Sequence, residues 1–477
     1  MERKSGVLMH ISSLFGDYSI GSFGDEAKYF IDFIKDCGFS YWQVLPFCLV
    51  DECNSPYKSY SSFGGNPYFI SLKKLFEKGL VTEQELSSQI QQTPYSCEFT
   101  RLYHTRLDVL MEASKRVQNK DEINEFIDGN PYLKKFCEFM ALKSVNNQVP
   151  WFKWENDQID DETLFMWRFI QYEFFMQWKE IKDYANSKGI KIIGDIPIYV
   201  AHDSADVWSN KELFLLDNEN NPTKVAGVPP DYFCEDGQLW GNPIYNWERM
   251  EQDGFKWWKD RISHMLNLFD GIRIDHFRAI ESYYAVDGKA ENARHGEWLK
   301  GPGMKLIDAI KSVAGDKLII AEDLGEITRE VEDLVEESGF PGMRVFQFAF
   351  LGDHDTPHLP HNYKNNCIAY TGTHDNNTLL GYLWELSDWD RKRMLSYCGY
   401  DNPDWGQGYD SIIRTMLQSH AGLVILPVQD LLGYGSDTRL NIPGKADGNW
   451  QFRITKEQLD GIDKQKFRWF NEMYKRM

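Results

Sequence analysis

GIRIDH, at residues 271–276, reads as a short buried strand with chemistry at its tip. Side chains alternate along a strand, so Ile272 and Ile274 share one face and Arg273 and Asp275 the other. The isoleucines suit packing beneath a helix layer, which leaves the charged pair pointing into an opening. Similar β-rich runs lie on either side, several of them closing in a polar residue. They are GVLMHIS (6–12), YWQVLP (41–46), KIIGDIPIYV (191–200), LIIAEDL (318–324), RVFQFAF (344–350), CIAYTG (367–372) and GLVILPVQD (422–430). Amphipathic helical stretches at 24–37, 165–188, 252–268, 303–313, 327–337, 387–399 and 455–476 separate many of them. Eight strands alternating with helices predict an α/β fold, a parallel (β/α)8 barrel of the TIM type. A doubly wound sheet would alternate too, but no G-x-G-x-x-G follows the first strand.

One barrel domain is expected over residues 1–477, with two interruptions. Residues 47–164 are too long for a βα loop, and 71–146 is charge-rich and helix-like, so a helical subdomain is expected after strand 2. Residues 201–250, rich in Pro, Gly, Asn and Trp, are expected to form a long loop after strand 3. Both depart from the C-terminal ends of strands, where barrels place their clefts.

Composition narrows the partners. At 42% hydrophobic residues the chain can bury a large core, which excludes wholesale disorder. A net charge of −20 repels phosphate backbones and anionic lipid, so neither nucleic acid nor a membrane face is expected as a partner. Cysteines at 37, 48, 53, 97, 137, 234, 367 and 398 contain no C-x-x-C pair, which argues against a zinc ribbon or a disulfide framework and suits a reducing cytosol. MERKSGVLMHISS lacks the apolar core of a signal peptide, and no run approaches the ~18 apolar residues of a membrane span. A cytoplasmic location is therefore expected. Aromatic residues make up 15%, enough to leave some for the walls of a cleft.

The strand tips hold the candidate chemistry. An arginine beside Asp275 would keep that carboxylate ionised, as a nucleophile requires, although a structural ion pair at the rim has the same spacing. LIIAEDL ends in Glu322 and Asp323; parity puts Glu322 on the face of Ile320. Burial and like charge there would make it a proton donor, while either acid could instead cap the next helix. TGTHDNN follows strand 7 with His374 and Asp375, where Gly, Thr and Asn supply a turn that an Asp could equally serve. Three acids closing strands 4, 5 and 7 of one barrel are hard to dismiss together, and Asp195, closing KIIGD, makes a fourth. A metal hydrolase is one reading, but its barrel form wants an H-x-H pair near strand 1, where only His10 stands. Carboxylates with one Arg and one His fit glycosyl transfer better. LLGYGSDTRLNIPGK (431–445) fails as a phosphate loop: residue 439 is Arg where Gly is needed, and Ala446 follows Lys445.

With these residues in view, the chain resembles the 4-α-glucanotransferases of glycoside hydrolase family 77, the amylomaltases or disproportionating enzymes. SPYKSYSSFGGNPYFI (55–70), GDIPIYV (194–200), VAGVPPDYFCEDGQLWGNPIYNW (225–247), GIRIDHFRA (271–279), AEDLG (321–325) and GTHDNNT (372–378) carry the likeness, in order, over most of the chain. The 225–247 segment is absent from ordinary α-amylases. The resemblance implies Asp275 as nucleophile, Glu322 as acid/base and Asp375 as a third, transition-state-stabilising carboxylate. It implies Arg273 and His374 at the cleavage point, Asp195 in the first acidic motif, and Tyr57 and Trp240 along the glucan path. Donor and acceptor would be α-1,4-glucans and maltooligosaccharides, with glucose as acceptor or product, and neither a cofactor nor a metal is implied. An α-glucan hydrolase or debranching enzyme on the same barrel is the alternative, and a non-catalytic glucan binder a remote one that would not need all three acids.

Trp240 sits in a Gly- and Asn-bounded stretch where core packing is hard to arrange, so its indole is expected at the cleft, flat against a glucose ring. Trp240→Ala should raise the ratio of hydrolysis to transfer on maltooligosaccharides. If both rates fall together and the melting temperature drops with them, the indole is a structural anchor instead.

Overall fold

Eight parallel strands close into a barrel in the computed structural model, which describes residues 1–50, 53–230, 235–351, 355–402, 404–445 and 447–477. They are β1 (Lys4–Leu8), β2 (Tyr41–Gln43), β3 (Lys191–Ile196), β4 (Gly271–Ile274), β5 (Leu318–Ala321), β6 (Gly342–Val345), β7 (Cys367–Tyr370) and β8 (Leu423–Pro427). Each pairs with its neighbour in chain order, and β8 returns to β1. The (β/α)8 expectation holds. Two strands lie displaced from the runs that marked them: β1 begins two residues before GVLMHIS, and β6 two residues before RVFQFAF, with 3-10 turns at Ile11–Ser13 and Phe346–Phe348. Continuous apolarity hides the end of a strand whose exit is also buried.

Contacts between non-adjacent strands show what fills the barrel's upper end. Tyr370 on β7 donates its hydroxyl to Gln43 Oε1 on β2 at 2.8 Å. Arg273 on β4 points its Nε at Met343 Sδ on β6, 3.3 Å away. This layer is polar and buried, whereas Ile272 and Ile274 on the opposite face of β4 lie under the helices.

The helix Asp161–Ser187 packs against the outer face of β3. Its N-terminus is capped by Asp160, whose carboxylate accepts the Thr163 N–H at 2.8 Å, with Asp161 and Glu162 in the first turn. From this helix Gln171 bonds both backbone groups of Gly65, and Gln177 accepts the Ser71 N–H. These bonds pin the stretch leaving β2 to the barrel wall. Between that stretch and the long helix run the helices Leu72–Glu77, Glu83–Ser88, Phe99–Lys115, Asp121–Asp128 and Pro131–Val145.

Residues 201–250, which read as loop, carry more order than their composition suggests. Strands Lys224–Val228 and Gln238–Pro243 pair with each other, and the first also pairs with Ser282–Asp287, which in turn pairs with Gly296–Lys300. The partner strands come from the segment after β4, so no local pattern reveals the sheet. At the opposite end of the barrel, buried Arg476 donates to the carbonyls of Lys4, Ser419 and Ala421, joining the end of the chain to the feet of β1 and β8. Among the described residues no helix is long and apolar enough to cross a membrane.

Where β3 meets the helix layer, Gly194 makes room for the ring of Phe269: a Cβ there would lie 2.2 Å from it. Phe269 is itself packed against Phe47 and Trp178, with centroids 5.0 and 5.7 Å away, so it cannot withdraw. Gly194→Ala should cost about 1–3 kcal/mol by overpacking, read as a lower midpoint of urea unfolding with the barrel's circular dichroism retained below it.

Candidate active site

Register places the first pair. Asp195 on β3 lies directly opposite Arg273 on β4, and both side chains turn into the barrel. Arg273 Nη1 donates to both Asp195 oxygens, at 3.0 and 2.8 Å, while Nη2 reaches Asp275 Oδ1 at 2.9 Å. The Tyr57 hydroxyl donates to Asp195 Oδ2 at 2.8 Å. Burial opposes a charge on Arg273, but Asp195 and Asp275 outweigh it and hold the guanidinium protonated. Asp195 has no exposed side-chain surface, whereas the Asp275 side chain is 28% exposed just beyond the strand. One carboxylate is therefore foundation and the other is accessible.

Glu322 stands at the neighbouring tip. Ile274 pairs with Ala321, so the residues that follow, Asp275 and Glu322, emerge side by side. Glu322 Oε2 accepts the His276 N–H at 2.6 Å and Oε1 the Leu324 N–H at 2.9 Å. His276 has a left-handed φ of 51°, in the turn that brings its N–H to the carboxylate. Burial pushes the Glu322 carboxyl up to about 8, with the Asp275 charge adding to it against the pull of Arg273 and the two N–H donors. Capping of the next helix falls to neither acid. That helix, Arg329–Ser338, follows Thr328, and Asp323 instead ties β6 by accepting the Met343 N–H at 2.6 Å and Arg344 Nη1 at 2.9 Å.

Asp375 follows β7. The turn there is made by Asn376, whose Oδ1 accepts from both the N–H and the hydroxyl of Thr373 at 2.9 Å. Asp375 is thus free for other work: Oδ2 faces His374 Nε2 at 3.2 Å, Oδ1 accepts from Asn441 Nδ2 at 2.6 Å, and its carbonyl accepts from Arg439 at 2.6 Å. Burial works against its charge, but His374, Asn441 and Arg273 together hold the carboxyl well below the usual range. The same pairing raises His374 above an ordinary histidine despite burial. Tyr57 stacks on His374 with centroids 5.0 Å apart and planes 16° apart, and Trp450 leans on both rings.

Trp240 lies on the edge strand of the small sheet, half-buried, with His276 4.8 Å away at 80° to its ring. It faces a cavity of about 410 Å³. All eight residues singled out in the sequence thus join one connected surface. Tyr57, Asp195, Arg273 and Asp275 meet directly, His374 and Asp375 stand against Tyr57, and Glu322 reaches Trp240 through His276. Of the 225–247 segment, Asp231 to Cys234 lie outside the described residues, as does Ala446. The sequence reading missed Arg439, Asn441, Trp450 and His276. The first two stand in the Gly-rich 431–445 stretch that was tested only as a phosphate loop; polar residues in a turn-rich segment after the eighth strand were the signal. Among the described residues no three His, Cys, Asp or Glu side chains gather as metal ligands would.

The profile of glycoside hydrolase family 77, described as 4-alpha-glucanotransferase, matches residues 9–458. A 4-alpha-glucanotransferase of Clostridium butyricum is 44% identical over 465 residues, covering 93% of this chain and 95% of the relative. One from Streptococcus pneumoniae serotype 4 is 41% identical over 479 residues, covering 96% and 94%. The amylomaltase of Streptococcus agalactiae, solved in complex with acarbose, superposes with a TM-score of 0.95 at 36% identity over the full length of both chains. Sequence and structure thus agree along nearly the whole polypeptide, and the chain belongs to glycoside hydrolase family 77, the 4-alpha-glucanotransferases.

Proposed function

We propose that this protein moves segments of α-1,4-glucan between maltooligosaccharides, with glucose as acceptor or product, through a covalent glucosyl-enzyme on Asp275. Glu322 is its acid/base and Asp375 its third carboxylate. The single observation that carries the assignment is the divergence of three neighbouring acids: Glu322 is buried and raised to about 8, Asp375 is held low, and Asp275 is accessible beside a guanidinium.

The chemistry follows from those states. Protonated Glu322 delivers its proton to the glycosidic oxygen as the bond to the anomeric carbon breaks, and an Asp275 oxygen bonds that carbon from the opposite side. The leaving glucan departs with a new hydroxyl. Ionised Glu322 then takes the proton from the 4-hydroxyl of an incoming glucan, whose oxygen displaces Asp275 and restores the original anomeric configuration. Asp375 and His374 bind the sugar hydroxyls where charge develops, and Tyr57 gives the ring a flat wall. Asp195, wholly buried, acts through Arg273 and Tyr57 by fixing their positions. Residues 47–164 and 201–250 are read as insertions on one catalytic barrel that wall the cleft against water and so favour transfer over hydrolysis. A cytoplasmic location accords with the free cysteines among the described residues.

Two measurements test this. Asp275→Asn keeps the shape of the side chain and removes the nucleophile, so release of glucose from maltotriose should fall by about three orders of magnitude or more while the fold survives. Near-normal transfer by the folded variant would place the nucleophile elsewhere. In wild type, products should be glucose together with longer oligosaccharides; a net gain of reducing ends would favour the hydrolase reading instead. The second measurement is a pH profile. Glu322 can donate only while protonated, so kcat/KM should decline as pH rises through about 8. A rate that stays level a full pH unit beyond that, with the protein still folded, would remove Glu322 as the acid.

A further inference from the structure

We infer that a water lodged beside His374 ties its Nδ1 to the Nε2–H of His10, which makes His10 a positioning residue for the ring that binds sugar at the cleavage point. The inference rests on the transferase reading above and adds to it a residue from the exit of β1.

His10 is buried between two aromatic rings. The Phe69 ring centroid lies 5.3 Å away at 82°, and that of Phe47 6.1 Å away at 46°. The Leu45 N–H donates to His10 Nδ1 at 3.2 Å, so that nitrogen carries no proton. Burial pushes the ring down to about 3, and the charge on His374 adds to it. The ring is therefore neutral, with its one proton on Nε2. A backbone N–H has in this way turned a titratable side chain into a fixed donor. Among the described residues no protein group accepts from that donor, although a buried N–H needs an acceptor.

His10 and His374 both line a chamber of about 20 Å³, which has room for one water. Ser13, Asn377, Gln429 and Arg439 supply further polar atoms to it, enough partners for a water to stay. Tyr57 covers a face of the His374 ring, and Asp375 Oδ2 holds one edge through Nε2 at 3.2 Å. Neither of them lines the chamber, so it meets the ring from another side. A bond at Nδ1 holds the edge that they leave. The link serves both states of His374, because water donates to a bare Nδ1 and accepts from a protonated one. The charges facing that ring are Asp375 beside it, Asp195 on β3, Arg273 on β4 and Arg439 at the chamber. His10 adds direction without adding a charge.

Two replacements separate this role from support of Leu45. His10→Asn puts an amide oxygen where Nδ1 stood, so Leu45 keeps its acceptor, but the side chain is too short to reach the water. His10→Gln reaches the water with an amide N–H and leaves Leu45 without its acceptor. His10→Asn should melt close to wild type yet transfer glucan with kcat/KM about tenfold lower, the loss of roughly one hydrogen bond. His10→Gln should melt lower than His10→Asn and yet be the more active of the two. Equal activities, or activities that follow the stabilities, overturn the inference. A measurement on wild type, with isotopically labelled histidine, needs neither variant. The His10 Nε2–H should show a nuclear Overhauser contact with a long-lived water, and its absence overturns the link. A wild type that makes neither glucose nor longer oligosaccharides from maltotriose overturns the transferase reading and the role of His10 in it. The Overhauser contact needs no glucan and reports the link by itself.

Discussion

A guanidinium buried at the mouth of the barrel is the constraint on which the site depends. Arg273 is buried, so each of its N–H groups needs a partner, and two of those partners are carboxylates at strand tips. Asp195 takes one edge, Asp275 another, and the sulfur of Met343 faces the Nε. Because Asp195 also accepts from Tyr57, one buried charge fixes the positions of Asp275 and of the Tyr57 ring. Stranding such a charge costs about 3–5 kcal/mol, far more than a surface pair contributes, so the arrangement tolerates little drift. Strands β3, β4 and β6 are thereby cross-braced through their side chains as well as through their backbones.

The three carboxylates show how one small region sustains opposite protonation states. Glu322 accepts two backbone N–H bonds, which favour its ionised form, yet burial dominates and keeps it a proton carrier. Asp375 is close by, but His374, raised above an ordinary histidine, and an asparagine amide surround it and hold its carboxyl low. The difference lies in the donors. Backbone amides contribute partial charges, while the pairing of His374 with Asp375 favours the charged form of both groups.

Most of the barrel was legible because buried parallel strands leave unbroken apolar runs and their tips break those runs with polar residues. GIRIDH, KIIGD and LIIAED each state where a strand stops and what it presents. One exception is RVFQFAF, where the chain stays apolar through the turn after β6 and the boundary has no mark. The small antiparallel sheet was illegible for a different reason: Lys224–Val228 finds its partner at Ser282–Asp287, across the whole of β4. The same holds within the site. Asp275, Glu322 and Asp375 announce themselves at strand tips, but Arg439, Asn441 and Trp450 become functional only through a fold that returns them to β7. His276 takes part through its backbone N–H and a left-handed turn, neither of which its residue type specifies.

That return has a consequence for synthesis. Asp275 and Glu322 leave the ribosome more than a hundred residues ahead of Arg439, Asn441 and Trp450, and a domain generally folds as a unit. The surroundings of Asp375 wait for Arg439, Asn441 and Trp450, and the seam between β1 and β8 waits for Arg476. A growing chain thus carries Asp275 and Glu322 before Asp375 can be set in order. The arrangement around the three acids is complete only once residues 439–450 have joined the barrel.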